Sequence, residues 1–198
     1  MPQPRRILIA GIGNIFFGDD AFGCEVVRRL MHEAWPEGVT VRDFGIRGLD
    51  LVYALEAAHD HVILIDAVPL GRPPGTLYVI APDLNEIDST GTAAADAWDA
   101  HAMNPVNVLR MARSSGVMLN DVLLIGCEPI PFDLDADMTS ELSDAVRTQL
   151  EQAVRLTAKI VWQLSRGEKP DFQGLDVGGP SASVPALAGI AQVKEERI

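Results

Sequence analysis

The sequence predicts an α/β fold, a three-layer α/β/α arrangement around a mixed, mostly parallel sheet of about five strands. Two observations carry this expectation. Short apolar runs of strand length recur at 6–11, 39–43, 61–67, 76–80 and 121–127, and segments with helical apolar spacing fill most of the gaps between them. Alternation of this kind lays successive strands side by side and covers both faces of the sheet with helices.

The first strand, Ile7-Leu8-Ile9-Ala10, runs into the glycine turn Gly11-Ile12-Gly13-Asn14, and Gly18-Asp19-Asp20-Ala21-Phe22-Gly23 follows. Asp19 and Asp20 fall where a helix begins, so one is expected as its N-cap while the other points away. From Ala21 to Ala34 the residues Phe22, Val26, Val27, Leu30 and Met31 keep helical spacing, and Trp35-Pro36 is expected to end that helix. A second, shorter helix is expected over Leu49–Ala58, capped by Asp50 or a residue just before it. The third has clear punctuation: Asn104 as N-cap, Pro105 in the first helical position and Gly116 as the stop. The last is expected to run unbroken from about Thr139 to Leu164, because Leu142, Val146, Leu150, Ala153, Val154, Thr157, Val161 and Leu164 form one stripe.

At 198 residues and 47% hydrophobic content, the chain can bury a substantial core. The expected organisation is one domain over 1–167 and a flexible tail over 168–198, where Leu175, Val177 and Leu187 are too sparse to build a core. Sixteen Lys and Arg stand against 28 Asp and Glu, a net charge of −12. Binding nucleic acid or an anionic membrane needs clustered cations, and here they are scattered. No apolar run approaches the length of a membrane span, and Met1-Pro2-Gln3-Pro4-Arg5-Arg6 lacks the apolar core of a signal peptide. Cys24 and Cys127 stand in no metal or redox spacing and read as buried, reduced thiols, which fits the cytoplasm.

The glycine turn invites comparison with a dinucleotide fingerprint. That pattern needs glycine at position 16, which is Phe16, and the two carboxylates that follow would repel a pyrophosphate. A different chemistry emerges from three other residues. Asp20 follows the first strand, Asp66 ends the buried strand His61-Val62-Ile63-Leu64-Ile65-Asp66, and His101 precedes the third helix. Placed in loops at one sheet edge, two carboxylates and an imidazole make an N/O site suited to Zn²⁺, Ni²⁺ or a similar divalent ion. Each also has a plainer role available: a helix cap for the acids, a solvated loop position for the histidine.

Taken together, the segments Gly11-Ile12-Gly13-Asn14, Gly18-Asp19-Asp20-Ala21-Phe22-Gly23, Asp43-Phe44-Gly45-Ile46-Arg47-Gly48, Ile65-Asp66-Ala67, Pro74-Gly75-Thr76, His101-Ala102-Met103 and Gly126-Cys127-Glu128-Pro129 resemble the maturation endopeptidases of nickel–iron hydrogenases. The resemblance covers about residues 5–164 in the family's order. It implies a protease that removes the C-terminal extension of a hydrogenase large-subunit precursor after nickel insertion. It maps the family's metal-binding trio onto Asp20, Asp66 and His101, which are also the catalytic candidates. It also points to Asp43, Gly45, Arg47 and Gly48 as precursor contacts. The nickel would arrive with the precursor, with no organic cofactor. Two other readings stand beside it: a nickel-site chaperone that docks the precursor without cutting it, and a nucleotide-binding α/β domain.

Overall fold

A computed structural model describes residues 3–84, 105–131 and 140–170. Five strands form one sheet: β1 (Ile7–Ile12), β2 (Val39–Gly45), β3 (His61–Ala67), β4 (Leu77–Ile80) and β5 (Asp121–Cys127). The order is β2-β1-β3-β5-β4. All neighbours are parallel except β4, which pairs antiparallel with β5 at the edge. The sheet is therefore mixed and mostly parallel, as the alternating pattern predicts.

The helices are α1 (Phe22–Leu30), α2 (Gly48–Leu55), α3 (Pro105–Ser114), α4 (Asp144–Arg147) and α5 (Leu150–Ser165). Phe22, Val26, Val27 and Leu30 of α1 share one core with Leu150, Ala153, Leu156 and Ile160 of α5 and with Ile7, Ile9, Ile63 and Ile65 of the sheet. Leu51 and Leu55 of α2 and Leu109 and Ala112 of α3 form the other core with Leu8, Leu64 and Leu124. Strand alternation sends successive side chains to opposite faces, so one run of apolar residues feeds both layers.

Several boundaries differ from expectation. Helix α1 stops at Leu30, short of Ala34, because the Trp35 indole N–H donates to the Leu30 carbonyl at 2.9 Å and takes up an end-of-helix acceptor. Helix α2 has no side-chain cap: its N-cap residue is Arg47, and Asp50 lies inside the first turn, ion-paired to Arg47 Nε at 3.2 Å. The final stripe is not one helix. It breaks at Thr148-Gln149 between α4 and α5, and Ser143 caps α4 by accepting from the Val146 N–H at 3.3 Å. The expected start at Thr139, the Asn104 cap and the tail from 171 onward lie outside the described residues.

The topology creates one particular crevice. From β1 the chain crosses through α1 to β2 on one side, then returns through α2 to β3 on the other side of β1. Connections therefore diverge from β1 over opposite faces, leaving a gap at the carboxyl ends of β1 and β3. Open α/β sheets place their ligand sites in such a gap.

Candidate active site at the carboxyl ends of β1 and β3

The crevice is entered from β1 through Gly13, whose φ of 134° is closed to L side chains. A Cβ there would lie 1.8 Å from the Asp20 carbonyl oxygen and 3.7 Å from Asp66 Oδ1. Bare backbone is therefore required where the turn passes between the two acids. Beyond it, Gly18–Ala21 forms a single 3₁₀ turn leading into α1. Gly23, in the first turn of α1, presses directly on the sheet. A Cβ there would meet the Ile65 and Ile12 carbonyl oxygens at 2.0 and 2.3 Å.

Neither aspartate caps the helix that follows, contrary to expectation. Asp20 turns back: its Oδ2 accepts the Asn14 N–H at 2.7 Å. Asp19 turns the other way and is nearly buried. It accepts from the Ser143 N–H at 2.7 Å, the Ser143 hydroxyl at 2.8 Å and the Ile130 N–H at 2.9 Å. Adjacent residues in an extended or 3₁₀ path diverge, so one acid anchors the scaffold while the other faces the crevice.

Asp66 is fully buried at the end of β3, and its Oδ1 accepts the Ala67 N–H at 2.9 Å. Asp43 stands near the end of β2, with Oδ1 accepting the Gly45 N–H at 3.0 Å. The Gly45 carbonyl in turn accepts the Gly13 N–H at 3.2 Å, joining the loops after β1 and β2. Arg47 donates to the Asp43 carbonyl at 2.6 Å, and Gly48 opens α2. His101 lies outside the described residues. Among the described residues, no group of three or more His, Cys, Asp or Glu side chains is placed to hold a metal ion.

The Cys24 thiol reports the convergence of the acids. It is buried on α1 and donates to the Gly13 carbonyl at 3.5 Å. Burial pushes its pKa far up, and the Asp43 carboxylate, by charge and hydrogen bond, then Asp66 and Asp20 push it further. Two carboxylates at strand ends and one in the 3₁₀ turn thus act on one protonated thiol, which is inert as a nucleophile in that form. Sequence reading assigned Cys24 only to the core; its place behind the acids depends on β1, β2 and β3 meeting in space.

A further carboxylate supports the site from outside it. Glu128, just past β5 and nearly buried, accepts the Leu70 and Gly71 N–H groups at 2.8 and 2.9 Å and bonds the Tyr78 hydroxyl. It fixes the loop that follows Asp66. The motif Gly126-Cys127-Glu128-Pro129 was its only trace in the sequence.

A sequence profile described as hydrogenase maturation protease matches residues 24–160. This chain belongs to the hydrogenase maturation protease family. The hydrogenase expression/formation protein HoxM of Azotobacter vinelandii is 34% identical over 158 residues, covering 79% of this chain and 72% of HoxM. The hydrogenase maturating endopeptidase HybD from E. coli superposes with a TM-score of 0.63 at 25% identity, over 83% of this chain and 95% of HybD. A NiFe-hydrogenase maturation protease, HycI from Thermococcus kodakarensis, gives 0.58 at 28% identity over 81% and 95%. The protein is thus a protease of hydrogenase maturation, with the mixed five-stranded sheet expected from the sequence. The nucleotide reading also loses its footing in the glycine turn. The Asn14 N–H there is taken by a carboxylate, the reverse of a phosphate cradle. No helix among the described residues is long and apolar enough to cross a membrane.

Proposed function

We propose that this protease removes the C-terminal extension of a nickel–iron hydrogenase large-subunit precursor in the cytoplasm after nickel insertion. The nickel is then part of the substrate, and Asp20, Asp66 and His101 recognise it. The observation that carries this reading is that the Asp20 backbone and the Asp66 carboxylate both border the turn at Gly13, in the crevice between β1 and β3. Carboxylate oxygens with one imidazole nitrogen suit a borderline divalent ion that keeps positions open for other ligands. A divalent ion held by these residues would supply a Lewis acid for a neighbouring peptide carbonyl.

The residues of this chain supply the rest. The Asn14 and Ala67 N–H groups aim the two carboxylates. The linked loops carrying Asp43, Gly45, Arg47 and Gly48 form one wall for the precursor. Exposed apolar side chains supply the rim: Ile15 and Phe16 after β1, Ile46 and Leu49 after β2, and Ile130 after β5. Apolar side chains gathered in loops around a polar crevice favour a protein substrate over a small solute.

The test incubates purified protein with nickel-loaded and nickel-free precursor and measures the precursor's C-terminal mass. Shortening only of the nickel-loaded form supports the reading. Equal cutting of both overturns nickel recognition. Tight binding without any shortening favours a docking chaperone.

A further inference from the structure

A groove of about 600 Å³ lies on the face of the sheet between β2 and α2, away from the carboxylate crevice. Its walls include Arg6, Thr40, Arg42, Tyr53 and His59. Strand β2 forms the sheet's outer edge, so the groove opens beside a backbone edge that has no strand partner among the described residues. Thr40 pairs with Leu8 and Arg42 with Ala10, so the groove follows β2 towards Asp43 and Gly45.

The charge of this groove is anomalous. In a chain of net charge −12, seven of the thirteen arginines have a carboxylate at hand: Arg5 with Asp60, Arg28 with Glu25, Arg29 and Arg155 with Glu151, Arg47 with Asp50, Arg147 with Asp144 and Arg166 with Glu168. Neither Arg6 nor Arg42 makes an ion pair among the described residues. Arg42 lies over the Phe44 ring, 4.8 Å from its centroid, which orients the guanidinium without neutralising it. Asp50 also lines the groove, but Arg47 Nε holds it at 3.2 Å. The His59 ring lies 3.0 Å from the Ala54 carbonyl, and burial lowers its pKa. The result is a cleft with two unpaired guanidiniums and the hydroxyls of Thr40 and Tyr53, a donor set for carboxylates.

We propose that this groove binds the precursor's C-terminal extension through its carboxylates, laying the extension along β2 with its scissile end at the Asp20–Asp66 crevice. The inference rests on the function proposed above. The net charge of −12 repels carboxylates over most of the chain, so the two unpaired arginines set the direction of approach. At about 3.3 Å per residue, the stretch from Gly45 back to Thr40 accommodates roughly five extended residues.

The test is fluorescence anisotropy of a labelled synthetic peptide carrying the precursor's C-terminal segment, titrated with the full chain. The Arg6→Gln/Arg42→Gln double variant should weaken binding by about tenfold or more, and Arg6→Lys/Arg42→Lys should restore much of it. Circular dichroism checks that the variants fold. Two peptide arms locate the contact, one with an amidated C-terminus and one with Asp and Glu replaced by Asn and Gln. At least one should bind more weakly to wild type and equally to the double variant. No binding by wild type, an unchanged affinity in the double variant, or no effect of removing peptide carboxylates overturns the proposal. Precursor processing is measured in parallel. Arginine-dependent peptide binding without cleavage overturns the proteolytic reading and leaves the groove standing; cleavage with arginine-independent binding does the reverse.

Discussion

Asp19 and Ser143 are 124 positions apart and joined by two hydrogen bonds, from the Ser143 N–H at 2.7 Å and its hydroxyl at 2.8 Å. With the third bond from Ile130, the acid ties the β1–α1 turn to the segment after β5 and to the start of α4. Asp20 is its chain neighbour, so this tie also fixes where Asp20 stands.

Asp19→Ala should therefore cost stability and activity together. Three donors lose a charged acceptor in a nearly buried place, and hydrogen bonds to charged groups contribute about 1.5–3 kcal/mol each before relaxation. Urea unfolding should show a loss of at least about 2 kcal/mol. Ser143→Ala should cost less, about 1 kcal/mol, because the backbone bond to Asp19 survives and only the hydroxyl bonds to Asp19 and the Val146 N–H are lost. Equal stability of Asp19→Ala and wild type would contradict this account.

Gly23→Ala should destabilise despite the better helix propensity of alanine. The added methyl meets two sheet carbonyls, at 2.0 and 2.3 Å, and neither backbone can yield without moving β1 or β3. Overpacking of this kind costs about 1–3 kcal/mol or more. The same substitution at Gly116, where φ is 85° and no atom lies within 4 Å, should cost only the backbone strain. Thermal melts of the two variants compare the effects directly.

How much of this was readable from the chain differs by element. Strand β3 matches its expected bounds, His61 to Ala67, because its apolar run is uninterrupted and ends in a charged residue. The break between α4 and α5 left no mark, since Leu142, Val146 and Leu150 keep the same stripe across it and all three are buried. The shortened α1 depends on where the Trp35 indole N–H points, which apolar periodicity does not encode. At the site, the placement of Asp66 at the end of β3 and of Asp20 in the turn before α1 was legible from local pattern. The separate duty of Asp19 was not, because its partners lie 111 and 124 positions away. The reach of Asp43 to Cys24 likewise exists only once β2 lies beside β1.

Both thiols should resist alkylation in the native protein. Burial pushes Cys127 up to about 12, with Asp19 and Glu128 adding to it, and Cys24 is pushed up for similar reasons. Below pH 9 iodoacetamide should label neither until denaturant is added. The linkage sign follows: each folded-state pKa is above the unfolded value of 9.0, so the contribution to stability is complete below pH 9 and falls as pH rises from 9 towards 12. Denaturant midpoints from pH 8 to 11 should decline, and Cys127→Ala should decline less steeply than wild type.

The strictest check on the site uses substitutions that spare the fold. Asp66→Asn keeps an Oδ1 acceptor for the Ala67 N–H, and Asp20→Asn keeps one for the Asn14 N–H. Both should fold, with melting temperatures within a few degrees of wild type. His101→Ala removes the single nitrogen donor of the proposed trio. Loss of a direct ligand should exceed the roughly 10- to 100-fold cost of disturbing a group that merely supports one. Processing of nickel-loaded precursor, followed by mass measurement, should therefore fall by well over about 100-fold in each variant. Arg47→Gln, which removes a proposed precursor contact but no proposed metal donor, should act mainly on the precursor concentration needed for half-maximal rate. Full processing by folded Asp66→Asn would remove that residue from the trio, because nothing else in the substitution compensates for the lost charge.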